Sequence, residues 1–169
     1  MLEDLYIEQD KVPKGFIVFN IMRKMFCLDI NNVLTIISTK ELNQSQFFFN
    51  YSTNTINYHG EIFPLVEFNV HYNLKFSVND ISKHLIFLNY KGNKIALFVD
   101  QIVDYIATNN SMIDQIKYVP TQRKSFINGQ IQYEGKSFLM LDLDQILETF
   151  KQRITFEACN RNKSSLRYK

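Results

Sequence analysis

The sequence predicts an all-β protein built as two small barrels and closed by a short C-terminal helix. Short alternating or β-branched apolar runs recur along the chain with turn residues between them, the pattern of many short strands. The runs fall into two sets of similar rhythm, each a hairpin, a third strand, a loop and a hairpin closed by a Gly-containing turn. The last apolar run then changes from a period of two to helical spacing.

In chain order, Phe16-Ile-Val-Phe-Asn-Ile21 and Met25-Phe-Cys-Leu-Asp-Ile30 read as a hairpin around Met22-Arg-Lys24, and Asn32-Val-Leu-Thr-Ile-Ile37 as a third strand. Phe47-Phe-Phe-Asn-Tyr51, Thr55-Ile-Asn-Tyr58 and Ile62-Phe-Pro-Leu-Val66 follow, with His59-Gly60-Glu61 turning between the last two. Pro64 has no N–H to give a ladder, so its strand is expected to be an edge or bulged there. Residues 69–83 form a polar connector. The second set runs Leu85–Tyr90, turn Lys91-Gly-Asn93, Lys94–Val99 and a continuation over Asp100–Ile106. After a polar stretch come Ser125–Ile127, Gly129–Tyr133, turn Glu134-Gly135 and Lys136–Leu141. Two closed barrels remove most unpaired strand edges. In Asp142–Phe150, Leu143, Ile146, Leu147 and Phe150 share one helical face, with Asp142 or Asp144 placed to cap it. The expected organisation is one unit over 14–152: a subdomain over about 14–82 to which the helix 142–152 returns, a second over about 83–141, and a basic tail over 153–169.

Composition narrows the functional class. With 46% hydrophobic residues and only 5 Gly and 3 Pro, the chain is too apolar for disorder. Cys27 and Cys159 stand far apart with no CxxC, so no disulfide framework is expected. The acidic start Met1-Leu-Glu-Asp-Leu-Tyr-Ile-Glu-Gln-Asp10 is unlike a signal peptide, and no apolar run nears the ~18 residues that span a bilayer. A cytoplasmic protein without membrane insertion is expected. The net charge of +2 is uneven: Lys151, Arg153, Arg161, Lys163, Arg167 and Lys169 face only Glu157 in 151–169, leaving an acidic body. A nucleic-acid face on the folded part is therefore not expected.

No Gly-rich phosphate loop, GxSxG or HExxH is present. His59, His71 and His84 have no Cys, Asp or Glu at ligand spacing, so neither metal nor cofactor is expected. Asp142 and Asp144 are a close carboxylate pair, but capping explains them more simply than acid–base chemistry. Cys27 lies among apolar neighbours as a small core residue. The 15 Phe and 9 Tyr fall largely on the apolar phase of strands, where they build core. In Phe47-Phe-Phe49, adjacent rings point to opposite faces, so one needs cover from a second surface.

Four blocks, in order, resemble the CheW family of chemotaxis coupling proteins. Phe16–Ile21 through Phe26-Cys-Leu-Asp-Ile-Asn-Asn-Val33, ending in Ile36, is similar to its opening hairpin and Asp-Ile-x-x-Val-x-x-Ile run. Ile56-Asn-Tyr-His-Gly-Glu-Ile-Phe-Pro-Leu-Val66 resembles its Arg-Gly and Pro-Val block. Lys94-Ile-Ala-Leu-Phe-Val-Asp-Gln-Ile-Val103 resembles its Val-Asp-x-Val strand end. Phe126-Ile-Asn-Gly-Gln-Ile through Leu139-Met-Leu-Asp-Leu-Asp-Gln-Ile-Leu147 resembles its closing block. The resemblance implies two five-stranded SH3-like barrels and function by contact alone. A groove between the barrels takes a chemoreceptor's cytoplasmic tip, and a barrel end meets the regulatory domain of a CheA-type histidine kinase. By position it implies receptor-binding roles for Val33, Ile36, His59, Gly60, Val99 and Val103, and a kinase-facing role for Gly129. The polar positions depart from the pattern: His59 replaces the turn arginine, Thr35 the glutamate that pairs with it, Asn54 and Ala96 two glycines, and Glu67-Phe-Asn69 the usual Asp-Leu-Arg. Alternative readings are an adaptor of another chemosensory output, such as pilus or surface motility, and a small nucleic-acid-binding barrel.

Overall fold

A computed structural model describes residues 15–41, 47–50, 54–66, 83–108, 117–124 and 126–151. Among them are twelve strands: β1 (Gly15–Ile21), β2 (Lys24–Asp29), β3 (Val33–Ser38), β4 (Phe47–Asn50), β5 (Thr55–Tyr58), β6 (Glu61–Val66), β7 (His84–Tyr90), β8 (Asn93–Val99), β9 (Gln101–Ala107), β10 (Lys117–Lys124), β11 (Ile127–Tyr133) and β12 (Lys136–Leu141). Short 3₁₀ turns, Ile30–Asn32 and Thr39–Glu41, flank β3, and the helix α1 occupies 143–151. The polar connector and the tail beyond 151 lie outside the described residues.

The strands form two six-stranded sheets, ordered β10-β11-β12-β2-β1-β9 and β3-β7-β8-β6-β5-β4. Neighbours are antiparallel except β12 with β2 and β6 with β8, which run parallel over two register pairs each. Four hairpins close through two-residue turns with positive φ at both positions: Met22-Arg23, His59-Gly60, Lys91-Gly92 and Glu134-Gly135. Such turns match the right-handed strand twist, and glycine suits them because it has no Cβ to clash. Pro64 pairs with Thr55 on the β5 side, while the β8 register covers only Leu65 and Val66. The missing donor therefore falls where the strand has one partner.

Three apolar clusters explain why the longest strands are apolar at almost every position. On β7, Leu85 and Phe87 face one cluster while Ile86 and Leu88 face another. On β8, Ala96 and Phe98 face the first while Ile95, Leu97 and Val99 face the second. On β1, Phe16 and Val18 join Cys27, Ile106, Ile131 and Phe138 inside their own sheet, whereas Ile17, Phe19 and Ile21 face the shared cluster. Because strand side chains alternate, each of these strands covers a barrel interior with one face and the seam between sheets with the other. Leu143, Ile146 and Leu147 of α1 and Leu141 complete the shared cluster. Asp142 caps the helix, its Oδ1 accepting the Gln145 N–H at 3.0 Å.

Pairing corrects the expected division near residue 83. β1 and β2 join β9 and β12, while β3 to β6 join β7 and β8, so each half of the chain contributes to both sheets. The reason is physical: β7 and β8 are apolar on both faces and need cover on both sides, which one barrel cannot supply. For the same reason α1 does not return to one subdomain but seals the seam. β10 (Lys117–Lys124) occupies what reads as a polar stretch, and its Pro120 and basic residues suit the sheet edge it forms.

Candidate functional site

Residues three apart on a regular strand face opposite ways, yet Val33 and Ile36 both pack against the seam cluster. A bulge makes this possible. Val33 stands opposite Leu88 and Thr35 opposite Phe87, which leaves Leu34 as the extra residue. Leu34 is turned outward, 51% exposed. The preceding 3₁₀ turn sets the entry: Asp29 Oδ1 accepts the Asn31 N–H at 2.8 Å, and the Val33 N–H donates to the Ile30 carbonyl. Burial is the main cause that raises the Asp29 pKa, partly offset by the hydrogen bond from Asn31.

β9, the edge of the other sheet, repeats the device. Ile102 pairs with Phe19 and Asp104 with Val18, so Val103 is the extra residue and stands 44% exposed. Ile102, like Val33 and Ile36, packs against the seam cluster. Both edge strands thus offer a partly covered apolar residue at the seam and an exposed apolar residue at a bulge. Ile102 and Leu34 escape sequence reading because a bulge leaves no periodic signal.

The other implied residues divide. Val99 is 1% exposed inside the seam cluster, so it is core and not groove lining in the free protein. The alternation that puts Ile95 and Leu97 in the core carries Val99 with them. His59 and Gly60 are exposed in the β5–β6 turn, where the Gly60 N–H donates to Asn57 Oδ1 at 3.0 Å. The His59 ring meets Tyr58 edge-on at 4.2 Å, and Tyr58 stacks on Phe87 at 4.8 Å. Phe87 is the register partner of Thr35. The aromatic contacts of His59 thus lead to the strand residue that pairs with Thr35. Gly129 is buried within β11 between Pro120 and Met140, beside register shifts on both sides, and its φ is not positive. A bulge, not a turn, accounts for that glycine.

The chemistry of the described residues is sparse. Burial pushes the Cys27 thiol up to about 12, which holds it as an unreactive thiol. Asp142 serves as helix cap, and Asp144 accepts from Lys91 Nζ at 2.7 Å and from the Tyr90 hydroxyl at 3.1 Å. Among the described residues, no group of three or more His, Cys, Asp or Glu is placed to hold a metal ion. No helix among them is long and apolar enough to cross a membrane.

The profile of the CheW-like domain matches residues 15–151. The chain belongs to the CheW-like family. The chemotaxis protein CheW of Rhizobium meliloti (strain 1021) is 22% identical over 134 residues, covering 79% of this chain and 86% of that one. The crystal structure of the scaffolding protein TtCheW from Thermoanaerobacter tengcongensis superposes with a TM-score of 0.59 at 20% identity, over 78% of this chain and 90% of that one. The two sheets and closing helix are thus the CheW-like arrangement of two SH3-like subdomains, and the bulged edges of β3 and β9 lie within the matched region.

Proposed function

We infer that this CheW-like chain is a non-catalytic cytoplasmic adaptor that couples a chemoreceptor's cytoplasmic tip to the regulatory domain of a CheA-type histidine kinase. One observation carries the reading within the family: Val33, Ile36 and Ile102 are only partly covered against the seam cluster, beside the outward Leu34 and Val103. An apolar rim of this kind gives a helical hairpin tip something to bury, at roughly 25 cal/mol for each Å² of apolar surface removed from water. Contact alone then transmits the signal, and no side chain needs a reactive state. His59 and Gly60 present the β5–β6 turn to the same class of partner, and Gly129 belongs to the kinase-facing end that the family resemblance implies.

Copurification tests this reading. The full chain, mixed with a receptor cytoplasmic hairpin fragment and a kinase regulatory domain from the same genome, is expected to elute with both as one complex. Elution apart from both fragments at micromolar concentrations contradicts it.

A further inference from the structure

A polar cleft of about 610 Å³ opens where the β1–β2 turn, the end of β3, the start of β7 and the junction of β8 with β9 converge. Asn20, Arg23, Lys40, His84 and Asp100 are among its lining residues. Asp100 already has partners: one carboxylate oxygen accepts the Met22 N–H at 2.7 Å, and the other meets Lys83 Nζ at 3.2 Å. Arg23 and Lys40 have no ion-pair partner among the described residues. The cleft therefore presents two uncommitted cations and one neutralised acid.

One further observation points to a ligand. Asn20 Oδ1 and His84 Nδ1 are buried without a hydrogen-bond partner, a state that costs roughly 1–3 kcal/mol for each group unless something supplies the bond. Both residues line this cleft. The turn that carries Arg23 is strained and is fixed from within the chain. Met22 has φ 51° and Arg23 φ 65°, so this hairpin uses a Met-Arg pair where the other three use glycine at the second position. Side chains of this size resist positive φ, and such strain persists where neighbouring structure fixes it, as the Asp100 bond to Met22 does here.

We propose that this cleft binds a small hydroxylated anion, a phosphate ester or a sugar acid. Arg23 and Lys40 hold its charged group, and its hydroxyls donate to Asn20 Oδ1 and His84 Nδ1. The volume lies within the range of small-molecule sites. This inference is independent of the adaptor reading.

The test is an NMR titration of the full chain that follows the His84 imidazole with three probes: glucose 6-phosphate, gluconate and inorganic phosphate. Saturable shifts are expected with at least one hydroxylated probe, which names the charged group, and weaker binding of inorganic phosphate. Arg23→Asn and Lys40→Gln should each weaken that binding about tenfold, the loss of one charge-assisted hydrogen bond. Asparagine tolerates positive φ better than arginine, so Arg23→Asn should hold or raise the thermal midpoint, which separates a ligand role from a folding role. Absence of saturable shifts with both hydroxylated probes overturns the proposal. Equal affinity in both variants, or inorganic phosphate binding as tightly as the hydroxylated probes, also overturns it.

Discussion

Val33 and Leu88 face each other across the β3–β7 ladder, Leu88 fully enclosed and Val33 partly open. The seam is therefore core on one strand and surface on the next. Leu88→Ala should cost about 2–5 kcal/mol through the cavity it leaves. Leu34→Asp, at the outward bulge, should stay within about 0.5 kcal/mol. Urea denaturation of both variants checks the pair.

The two aspartates at the start of α1 should behave differently. Asp142→Ala removes the acceptor for the Gln145 N–H and should cost about 1 kcal/mol. Asp144→Asn removes an exposed pair with Lys91 and should lower the thermal midpoint less. A larger loss from Asp144→Asn would contradict the capping assignment.

Cys27 ties stability to alkaline pH. Its folded pKa is raised from 9.0 to about 12, so between those values the unfolded chain has released a proton that the folded chain keeps. The contribution is fully present below pH 9 and is lost as pH rises towards 12, at up to about 1.4 kcal/mol per pH unit. Cys27→Ala should flatten the dependence of the urea midpoint over this range. Under native conditions near neutral pH, Cys27 should also resist alkylation until the protein is denatured.

Much of this fold is written locally. The four hairpin turns, the strands they join and the helical spacing of Leu143, Ile146 and Leu147 can all be read from residue types and periods. Pairing between distant strands cannot. The parallel contacts of β2 with β12 and of β6 with β8 join segments with no local signal between them, so the two strand sets read as two separate barrels. β10 is hidden for another reason, because edge strands carry the charges and proline that otherwise mark loops. At the seam, Val33 and Ile36 can be found by family position, but their shared face depends on the bulge at Leu34. Val99 shows the converse, since a matching position in a motif does not reveal that both faces of β8 are buried. The cleft around Asn20 and His84 draws on four separated segments and leaves no linear pattern.

Titration of a receptor cytoplasmic tip into wild type and Val33→Lys bears most directly on adaptor function. A lysine at the rim would lose water on binding without gaining a partner, and a loss of ~3 kcal/mol weakens binding more than a hundredfold. Because Val33 is partly open, its aliphatic stem can lie along the rim with the charge in water, so the thermal midpoint should stay within a few degrees. The expected result is a folded variant that loses the receptor tip and keeps the kinase regulatory domain. A folded variant that binds the receptor tip as wild type does would place the adaptor surface elsewhere, and a variant that unfolds would make Val33 core.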